Sequence, residues 1–269
     1  MYQLRLGRSI SFLSDRVTDS IRQAVESGLD TVDLDICSIH KDREQEIEEY
    51  KNLPAVLEQL RASGLKLNAV HISFGHHWNF ASHEEKKRLE AIENLRAVLP
   101  ITDAYSPFCY VIHGSYEPIT EELRPLQLEA LHRSLSEMVT LTKIPFALES
   151  LPRSCLFNTS AEGIAIVDRV PGVKVCIDVN HFLKEDPTDA ILALGDRIIT
   201  THISDYDFID ERHLLPGQGQ INWMRLLGAL ERIGYTGVFN YEVKNGVSTA
   251  EVKENYTRLF RAYNEKTEF

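Results

Sequence analysis

Four side chains that can bind a divalent metal stand at the ends of apolar segments with the length of β-strands. They are Glu149, Asp178, His202 and Glu242, in the stretches FALES, VCIDVNH, HISDYD and FNYEV. A carboxylate flanked by apolar residues is costly to bury unless a cation or a hydrogen-bond donor offsets its charge. For any one of them, a bond to a neighbouring helix N-terminus explains the residue as well as a metal does. Three carboxylates together with an imidazole favour a metal site.

An oxygen-rich site with one imidazole suits one Mn²⁺, Zn²⁺, Co²⁺ or Mg²⁺ ion, because none of its ligands is a soft thiolate. Three further histidines are expected to face the same pocket: His71 and His113 end the third and fourth predicted strands, and His181 follows Asp178 in DVNH. They are expected to contact substrate or to bind a second metal, unless each only completes a polar network. Asp205, in HISDYD, is a candidate for orienting an imidazole or a loop.

The loop after the third predicted strand carries His76, His77 and Trp78. On a catalytic-face loop, Trp78 and Phe80 would either stack on a sugar ring or cover the barrel mouth. The remaining histidines fall in predicted loops or helices. We predict that these lie at the surface: His40, His76, His77, His83 and His132.

The elements that must position these residues alternate strand and helix from end to end of the chain. Apolar runs of strand length are Gln3–Ile10, Thr31–Ile36, Lys66–Ser73, Cys109–His113, Phe146–Ser150, Val173–Asp178, Ile198–Ser204 and Val238–Val243. Apolar residues at helical spacing predict helices over Val17–Ser27, Glu84–Leu99, Gln127–Leu141, Ala161–Val170 and Asn222–Ile233. Asp186-Pro187 is a typical helix start, and a glycine follows several of the predicted helices.

Alternating strands and helices imply a parallel sheet, either a closed barrel or an open doubly wound sheet. Eight strands is the number of a (β/α)8 barrel, and no GxGxxG follows a first strand, so the dinucleotide-binding open sheet lacks support. We therefore predict an α/β fold, a single TIM barrel with one domain over residues 1–269. The barrel brings the carboxyl ends of all strands to one face, where the candidate ligands converge.

Composition restricts the partners of this chain. A formal net charge of −11 disfavours binding to a nucleic-acid backbone and favours a small-molecule substrate. The first residues lack the pattern of a secretion signal, and no stretch reaches the roughly 18 apolar residues of a membrane span, so a cytoplasmic location without membrane association is expected. The four cysteines have no CxxC spacing and are predicted to be free thiols.

Three stretches in the last third of the chain, CIDVNH, THISDYDFIDERHLLPGQGQINW and LERIGYTGVFNYEV, resemble the xylose isomerase-like barrel superfamily. Its members include sugar isomerases and epimerases and the zinc endonuclease that cuts DNA at abasic sites. The resemblance implies a TIM barrel and a carbohydrate substrate. In the ketose 3-epimerases, the residues matching Glu149, Asp178, His202 and Glu242 bind one metal. There, the two glutamates also exchange a substrate proton, and the histidine matching His181 contacts the sugar.

Two features leave the reaction open. The ketose 3-epimerases carry an arginine six residues after the metal-binding histidine, where this chain has Phe208. The endonuclease branch binds three zinc ions, and its additional ligands have counterparts here. Two of those ligands are an aspartate and a histidine separated by one residue, and in this chain the corresponding pair begins with a glutamate. These counterparts are His71, His113, His181, Glu211 and His213.

The sequence thus predicts a divalent-metal-dependent isomerase or epimerase of a sugar, sugar phosphate or polyol, with Glu149 and Glu242 as acid/bases on either side of an enediolate. Alternatives are a phosphodiesterase resembling the abasic-site endonuclease, an inosose-type dehydratase, or a barrel that binds sugar without chemistry. Gly217 and Gly219 are expected to let a loop approach substrate or to serve a turn. The oligomeric state is open between a monomer and a homo-oligomer. The residues expected to contact substrate are His181, His71, His113, His213 and Trp78.

Overall fold

The computed structural model describes residues 1–13, 16–37 and 43–269. Within these ranges, eight parallel strands follow one another in chain order and close into a barrel, with the first strand paired to the second and to the last. The strands are β1 (Arg5–Ser11), β2 (Thr31–Asp35), β3 (Lys66–His71), β4 (Cys109–Ile112), β5 (Phe146–Glu149), β6 (Val173–Asp178), β7 (Ile198–Ile203) and β8 (Val238–Tyr241). The predicted TIM barrel is confirmed.

The α-helices of the described residues connect the strands and surround the barrel. They are α1 (Val17–Glu26), α2 (Arg43–Glu49), α3 (Leu53–Ser63), α4 (Glu85–Asp103), α5 (Arg124–Met138), α6 (Ser160–Val167), α7 (Pro187–Leu194), α8 (Trp223–Arg232) and α9 (Thr249–Glu265). Short 3₁₀ turns lie at Tyr50–Asn52, His76–Trp78 and Gly195–Arg197. In the part of the chain that the structure describes, no helix combines the length and apolar character that a membrane crossing requires.

Local signals set several helix ends. The Asp186 carboxylate accepts a hydrogen bond from the Thr188 backbone N–H at 2.8 Å, and Pro187 is the first helical residue of α7, as predicted. Such a cap satisfies one of the N–H groups that the first turn leaves unpaired. At the end of α3, Gly64 adopts a φ of 79°, a left-handed conformation that glycine adopts without steric cost.

Helix α4 is longer than predicted. The apolar spacing predicts its end at Leu99, yet the helix continues to Asp103, although Pro100 within it cannot donate a helical hydrogen bond. Its last turn is held by tertiary contacts, since Thr102 is fully buried and its hydroxyl lies 2.7 Å from the hydroxyl of Tyr110. Packing against the barrel therefore outweighs the local stop signal.

Two apolar layers support the barrel. The larger one fills the space between strands and helices. The smaller one consists of compact side chains on the strands: Ala69, Cys109, Val111, Ala147 and Cys176. Because side chains alternate along a strand, Ala147 and Cys176 share the interior face with Glu149 and Asp178, two residues further on. The small interior layer therefore lies beneath the site at the strand ends.

The cysteines are free thiols, as predicted. The surface prediction for the loop and helix histidines is wrong at His132, which is 9 % exposed, with its Nδ1 2.8 Å from Nη1 of Arg169. His132 lies on α5, and the side that a helix buries is decided by its neighbours. His76 and His83 are exposed and His77 is half-buried. His40 lies outside the described residues.

Candidate metal centre

The four predicted metal ligands meet at the carboxyl-terminal mouth of the barrel. Glu149 and Asp178 are the last residues of β5 and β6, His202 is the penultimate residue of β7, and Glu242 directly follows β8. One ligand atom from each residue lies within 4.8 Å of those of the other three. Three of the side chains are at most 1 % exposed, whereas that of Glu242 is 29 % exposed. Glu242 is therefore the member that solvent or a substrate can reach.

One buried carboxylate oxygen at this cluster lacks a partner. Among the described residues, Oδ2 of Asp178 is buried without a hydrogen-bond donor. The other oxygen of Asp178 accepts from the Asn180 backbone N–H at 2.8 Å. The His202 Nδ1 lies 2.6 Å from Oε2 of Glu242 and 3.1 Å from Oε1 of Glu149. Unpaired buried carboxylates are costly, and a divalent cation would offset that cost, so these residues fit a metal ion.

Burial and the charges of neighbouring side chains shift the pKa values of this cluster. Burial raises the pKa of Asp178 to about 6. Burial also acts to raise the pKa of Glu242, but the charge of His202 and its hydrogen bond lower it to about 2. Burial acts to lower the pKa of His202, yet the carboxylates of Glu242 and Glu149 bring it well above its ordinary value. Metal binding at such a site requires the imidazole to lose its extra proton.

Asp33 is a residue that the sequence reasoning missed. It is fully buried in β2, and its Oδ1 accepts from Nδ2 of Asn68 at 2.7 Å. Its Oδ2 lies 3.5 Å from Nε2 of His202. A carboxylate behind a ligating imidazole holds the ring so that the opposite nitrogen faces the metal. The available sequence signal is an acidic residue inside the apolar strand TVDLD.

A second cluster shares Glu149. Oε2 of Glu149 lies 2.9 Å from Nε2 of His71 and 3.2 Å from Nε2 of His113, which directly follows β4. His71 directs Nε2 inward because its Nδ1 lies 3.0 Å from the backbone oxygen of Ile72. Burial acts to lower both histidine pKa values. The hydrogen bond and charge of Glu149 raise that of His71 to about 9, whereas the pKa of His113 stays lowered. The geometry allows a cation between these three side chains.

A third cluster consists of His181, Glu211 and His213. Nδ1 of His181 lies 2.8 Å from the backbone oxygen of Ser150, which leaves Nε2 3.0 Å from Oε2 of Glu211. His213 is fixed in the same way, with Nδ1 3.1 Å from the backbone oxygen of Glu242. The hydrogen bond from His181 lowers the pKa of Glu211 to about 2. The structure therefore brings together all the predicted histidines of the pocket.

These clusters border a cavity of about 290 Å³ at the barrel mouth. Its wall includes Arg153, in the loop after β5, with a left-handed φ of 52°. The Arg153 guanidinium lies 2.8 Å from Glu117 and 2.9 Å from both Asp210 and Glu211. Arg153 thus joins the loops after β4, β5 and β7. The sequence reasoning missed it, because a lone arginine in a loop carries no motif.

Asp205 orients the loop after β7 and not an imidazole. Its carboxylate accepts hydrogen bonds of 2.8–3.1 Å from the backbone N–H groups of Tyr206, Gly217 and Ile221 and from the indole of Trp223. Gly217 has a φ of 88°, and a Cβ on Gly219 would lie 2.4 Å from Oδ1 of Asp205. Neither glycine lines the cavity. The glycine pair therefore serves the turn that wraps around Asp205.

The structure does not bring Trp78 into the cavity. Trp78 is 2 % exposed and donates its indole N–H to Oε1 of Glu46 at 2.8 Å, and Phe80 is fully buried. Phe74 takes the position at the mouth instead, 47 % exposed, with its ring stacked at 4.5 Å on that of His113. Phe208, which stands where the epimerases carry arginine, is not part of the cavity wall.

A family model described as the xylose isomerase-like TIM barrel matches residues 21–262. An uncharacterized protein of Methanocaldococcus jannaschii is 26% identical over 270 residues, which cover 96% of this chain and 89% of the relative. A D-psicose 3-epimerase of Enterocloster bolteae is 29% identical over 130 residues, 45% of this chain and 42% of that protein. A solved D-tagatose 3-epimerase-like protein, 23% identical, has a TM-score of 0.79 and covers 98% of this chain and 99% of that one.

Proposed function

The chain belongs to the xylose isomerase-like TIM barrel family, and from this premise we propose that it is a divalent-metal-dependent sugar isomerase or epimerase. The observation that carries the proposal is the pair of glutamates, Glu149 and Glu242, that flank one imidazole nitrogen of His202 beside a cavity of sugar size. The relative named as a D-psicose 3-epimerase and the solved structure named as a D-tagatose 3-epimerase-like protein support the same class of reaction.

The proposed metal ligands are Glu149, Asp178, His202 and Glu242. Their oxygen-rich set suits Mn²⁺, Mg²⁺, Co²⁺ or Zn²⁺. A bound cation would polarise the substrate carbonyl and so make the neighbouring carbon-bound proton more acidic. Asp33, whose Oδ2 lies 3.5 Å from Nε2 of His202, is proposed to hold this imidazole in the orientation that the role requires.

The two glutamates are proposed to move the proton. Glu242 is the partly exposed carboxylate, and it takes the proton from carbon in one direction of the reaction. Glu149 returns a proton from the other side to the same carbon, which inverts that carbon. Return to the neighbouring carbon, with the hydroxyl proton moving to the former carbonyl oxygen, instead moves the carbonyl. His181, fixed through Nδ1, directs Nε2 toward a substrate oxygen.

Substrate contacts are proposed for the remaining cavity histidines, His71, His113 and His213, together with His181. Phe74 replaces Trp78 as the proposed aromatic contact, because its ring is exposed at the mouth. The cytoplasmic location and the choice between monomer and homo-oligomer stay predictions.

The test is exchange of carbon-bound substrate hydrogen with solvent deuterium, followed by mass spectrometry with D-psicose, D-fructose and D-tagatose. Glu242→Gln and Glu149→Gln should each slow exchange by roughly 10²–10⁴-fold, the usual contribution of a general acid or base. Glu254→Gln, an exposed position on α9, is the matched control and should exchange like the wild type. Exchange with none of the sugars, or unchanged rates in both cavity variants, would overturn the proposal. Loss of water from the sugar would indicate a dehydratase.

A metal-dependent phosphodiesterase is the second candidate, favoured by the two further clusters around Glu149 and His181. Additional cations would bind through His71, His113, His181, Glu211 and His213, and several metals suit water activation and phosphate binding. The many carboxylates around the cavity oppose an anionic backbone. Three zinc ions per chain, with cleavage of an abasic-site duplex that Glu149→Gln abolishes, would support this candidate.

A further inference from the structure

A second cavity adjoins the one at the metal site. It measures about 460 Å³, and the two cavities share Tyr116 and Glu117 in their walls. Its other walls come from the turn that contains His76 and from the first turns of α4 and α5. The first cavity, of about 290 Å³, is at the lower end of ligand pockets and has room for about one sugar ring. The second cavity therefore offers space that one monosaccharide at the metal site does not use.

The charges at the metal-site cavity disfavour a phosphate group. Among the described residues in its wall, Arg153 is the one lysine or arginine. Its guanidinium is already bound by carboxylates, with distances of 2.8–2.9 Å to Glu117, Asp210 and Glu211. Among the described residues of this wall, a phosphate would find no uncommitted lysine or arginine.

The second cavity is likewise poor in uncommitted lysine and arginine side chains among the described residues. Of the described residues that line it, Lys87 is the one lysine or arginine, and it is paired with Glu84 at 2.5 Å. Glu90 and Glu117 add negative charge to the wall. Both cavities therefore favour an uncharged ligand over an anionic one.

Polar and aromatic groups in the second cavity suit a sugar ring. Gln127 in its wall is 6 % exposed, and its Oε1 has no hydrogen-bond partner within the described residues. A buried amide oxygen without a donor is unfavourable, and a rotation of the Gln127 side chain would bring this oxygen, shielded from solvent here, to a donor on a ligand in the cavity. At the junction, the rings of His76 and Tyr116 form an edge-on pair with centroids 4.5 Å apart. Such rings pack against the apolar face of a sugar, while an amide binds its hydroxyl groups.

We propose that the substrate is an uncharged glycoside or disaccharide whose reacting unit lies at the metal site and whose second sugar unit lies in the adjoining cavity. This proposal rests on the proposed isomerase or epimerase function of the metal site. The second unit packs on His76 and Tyr116 and donates a hydroxyl hydrogen bond to Gln127.

Solvent-deuterium exchange with matched probes tests the substrate class. D-fructose is compared with its 6-phosphate and with the glucosyl-fructose disaccharides isomaltulose, maltulose, turanose and leucrose. At least one disaccharide should exceed D-fructose in kcat/KM by about tenfold, the factor that about 1.4 kcal/mol of additional binding produces. The proposal is overturned if no disaccharide exceeds D-fructose, or if D-fructose 6-phosphate is the best probe.

Two variants test whether the preference for a disaccharide arises in the second cavity. Gln127→Leu removes the amide at nearly constant shape, and His76→Ala truncates an exposed ring, so both should fold. In each, the preferred disaccharide should lose about tenfold in kcat/KM relative to D-fructose, mainly through KM. Lys86→Ala, an exposed neighbour outside the cavity wall, is the matched control and should retain the wild-type preference. Unchanged preference in both cavity variants would overturn the proposal.

The same measurements separate this proposal from the one on which it rests. If D-fructose exchanges in a Glu242-dependent way but no disaccharide is preferred, only the second sugar site is overturned. If no sugar exchanges at all, the isomerase or epimerase function and the second site are overturned together.

Discussion

Asp205→Asn is a near-isosteric change that should strongly destabilise the loop after β7. In the wild type, Oδ1 of Asp205 accepts from the backbone N–H groups of Tyr206 and Ile221 at 2.9 and 3.1 Å. Oδ2 accepts from the Gly217 N–H and the Trp223 indole, both at 2.8 Å. The asparagine amide has a single oxygen. Whichever way it turns, two buried donors therefore face an NH₂ group and lose their acceptor.

The expected magnitude follows from the number of bonds lost. A hydrogen bond to a charged group contributes about 1.5–3 kcal/mol, so losing two costs about 3–6 kcal/mol. In a protein of this size 1 kcal/mol shifts the melting temperature by about 2–4 °C, which gives a decrease of about 6–24 °C. Gly219→Ala should act in the same direction, since its Cβ would lie 2.4 Å from Oδ1 of Asp205.

Thermal unfolding followed by circular dichroism measures the effect. Asp196→Asn, at an exposed carboxylate in the 3₁₀ turn after α7, is the matched control and should change stability by no more than about 0.5 kcal/mol. A decrease of less than about 2 °C for Asp205→Asn would show that its carboxylate does not anchor the loop.

Three further predictions concern the metal. Adding Mn²⁺ to metal-free protein at about 100 times its Kd should raise stability by about 2.7 kcal/mol and the melting temperature by about 5–11 °C, and no shift would contradict a native metal site. Asp33→Asn should weaken metal affinity about 10–100-fold in competition with a chelating dye, because His202 loses its orienting carboxylate, whereas equal affinity would contradict that role. At pH 7, binding should release about one proton per cation, because the pKa of His202 is raised well above its ordinary value. Calorimetry in buffers of different ionisation enthalpy measures this release, and zero release would contradict it.

The fold and the position of the candidate ligands are readable from the sequence because both depend on local signals. Strand-helix alternation predicts the barrel, and the barrel places every strand end on one face. Glu149 and Asp178 end β5 and β6, so topology alone brings them together. The motif D-x-x-H likewise fixes His181 beside Asp178.

The residues that the sequence could not place depend on partners distant in the chain. Trp78 follows β3 as a mouth residue should, yet its indole is bound by Glu46 from α2. Arg153 joins the loops around the cavity through ion pairs with Glu117 and Glu211, and these partners come near it only in the folded chain. Asp33 lies inside a strand without a motif, and only barrel closure brings it near His202 on β7.

The central claim is that a cation held by Glu149, Asp178, His202 and Glu242 supports proton exchange on a sugar. The most direct measurement is the rate of solvent-deuterium incorporation into the best sugar substrate as Mn²⁺ is titrated into metal-stripped protein. The account predicts no exchange without metal, a rise to a plateau as the site fills, and no recovery in Glu242→Gln at any metal concentration. Full exchange by metal-free protein, or no exchange at any metal concentration, would contradict it.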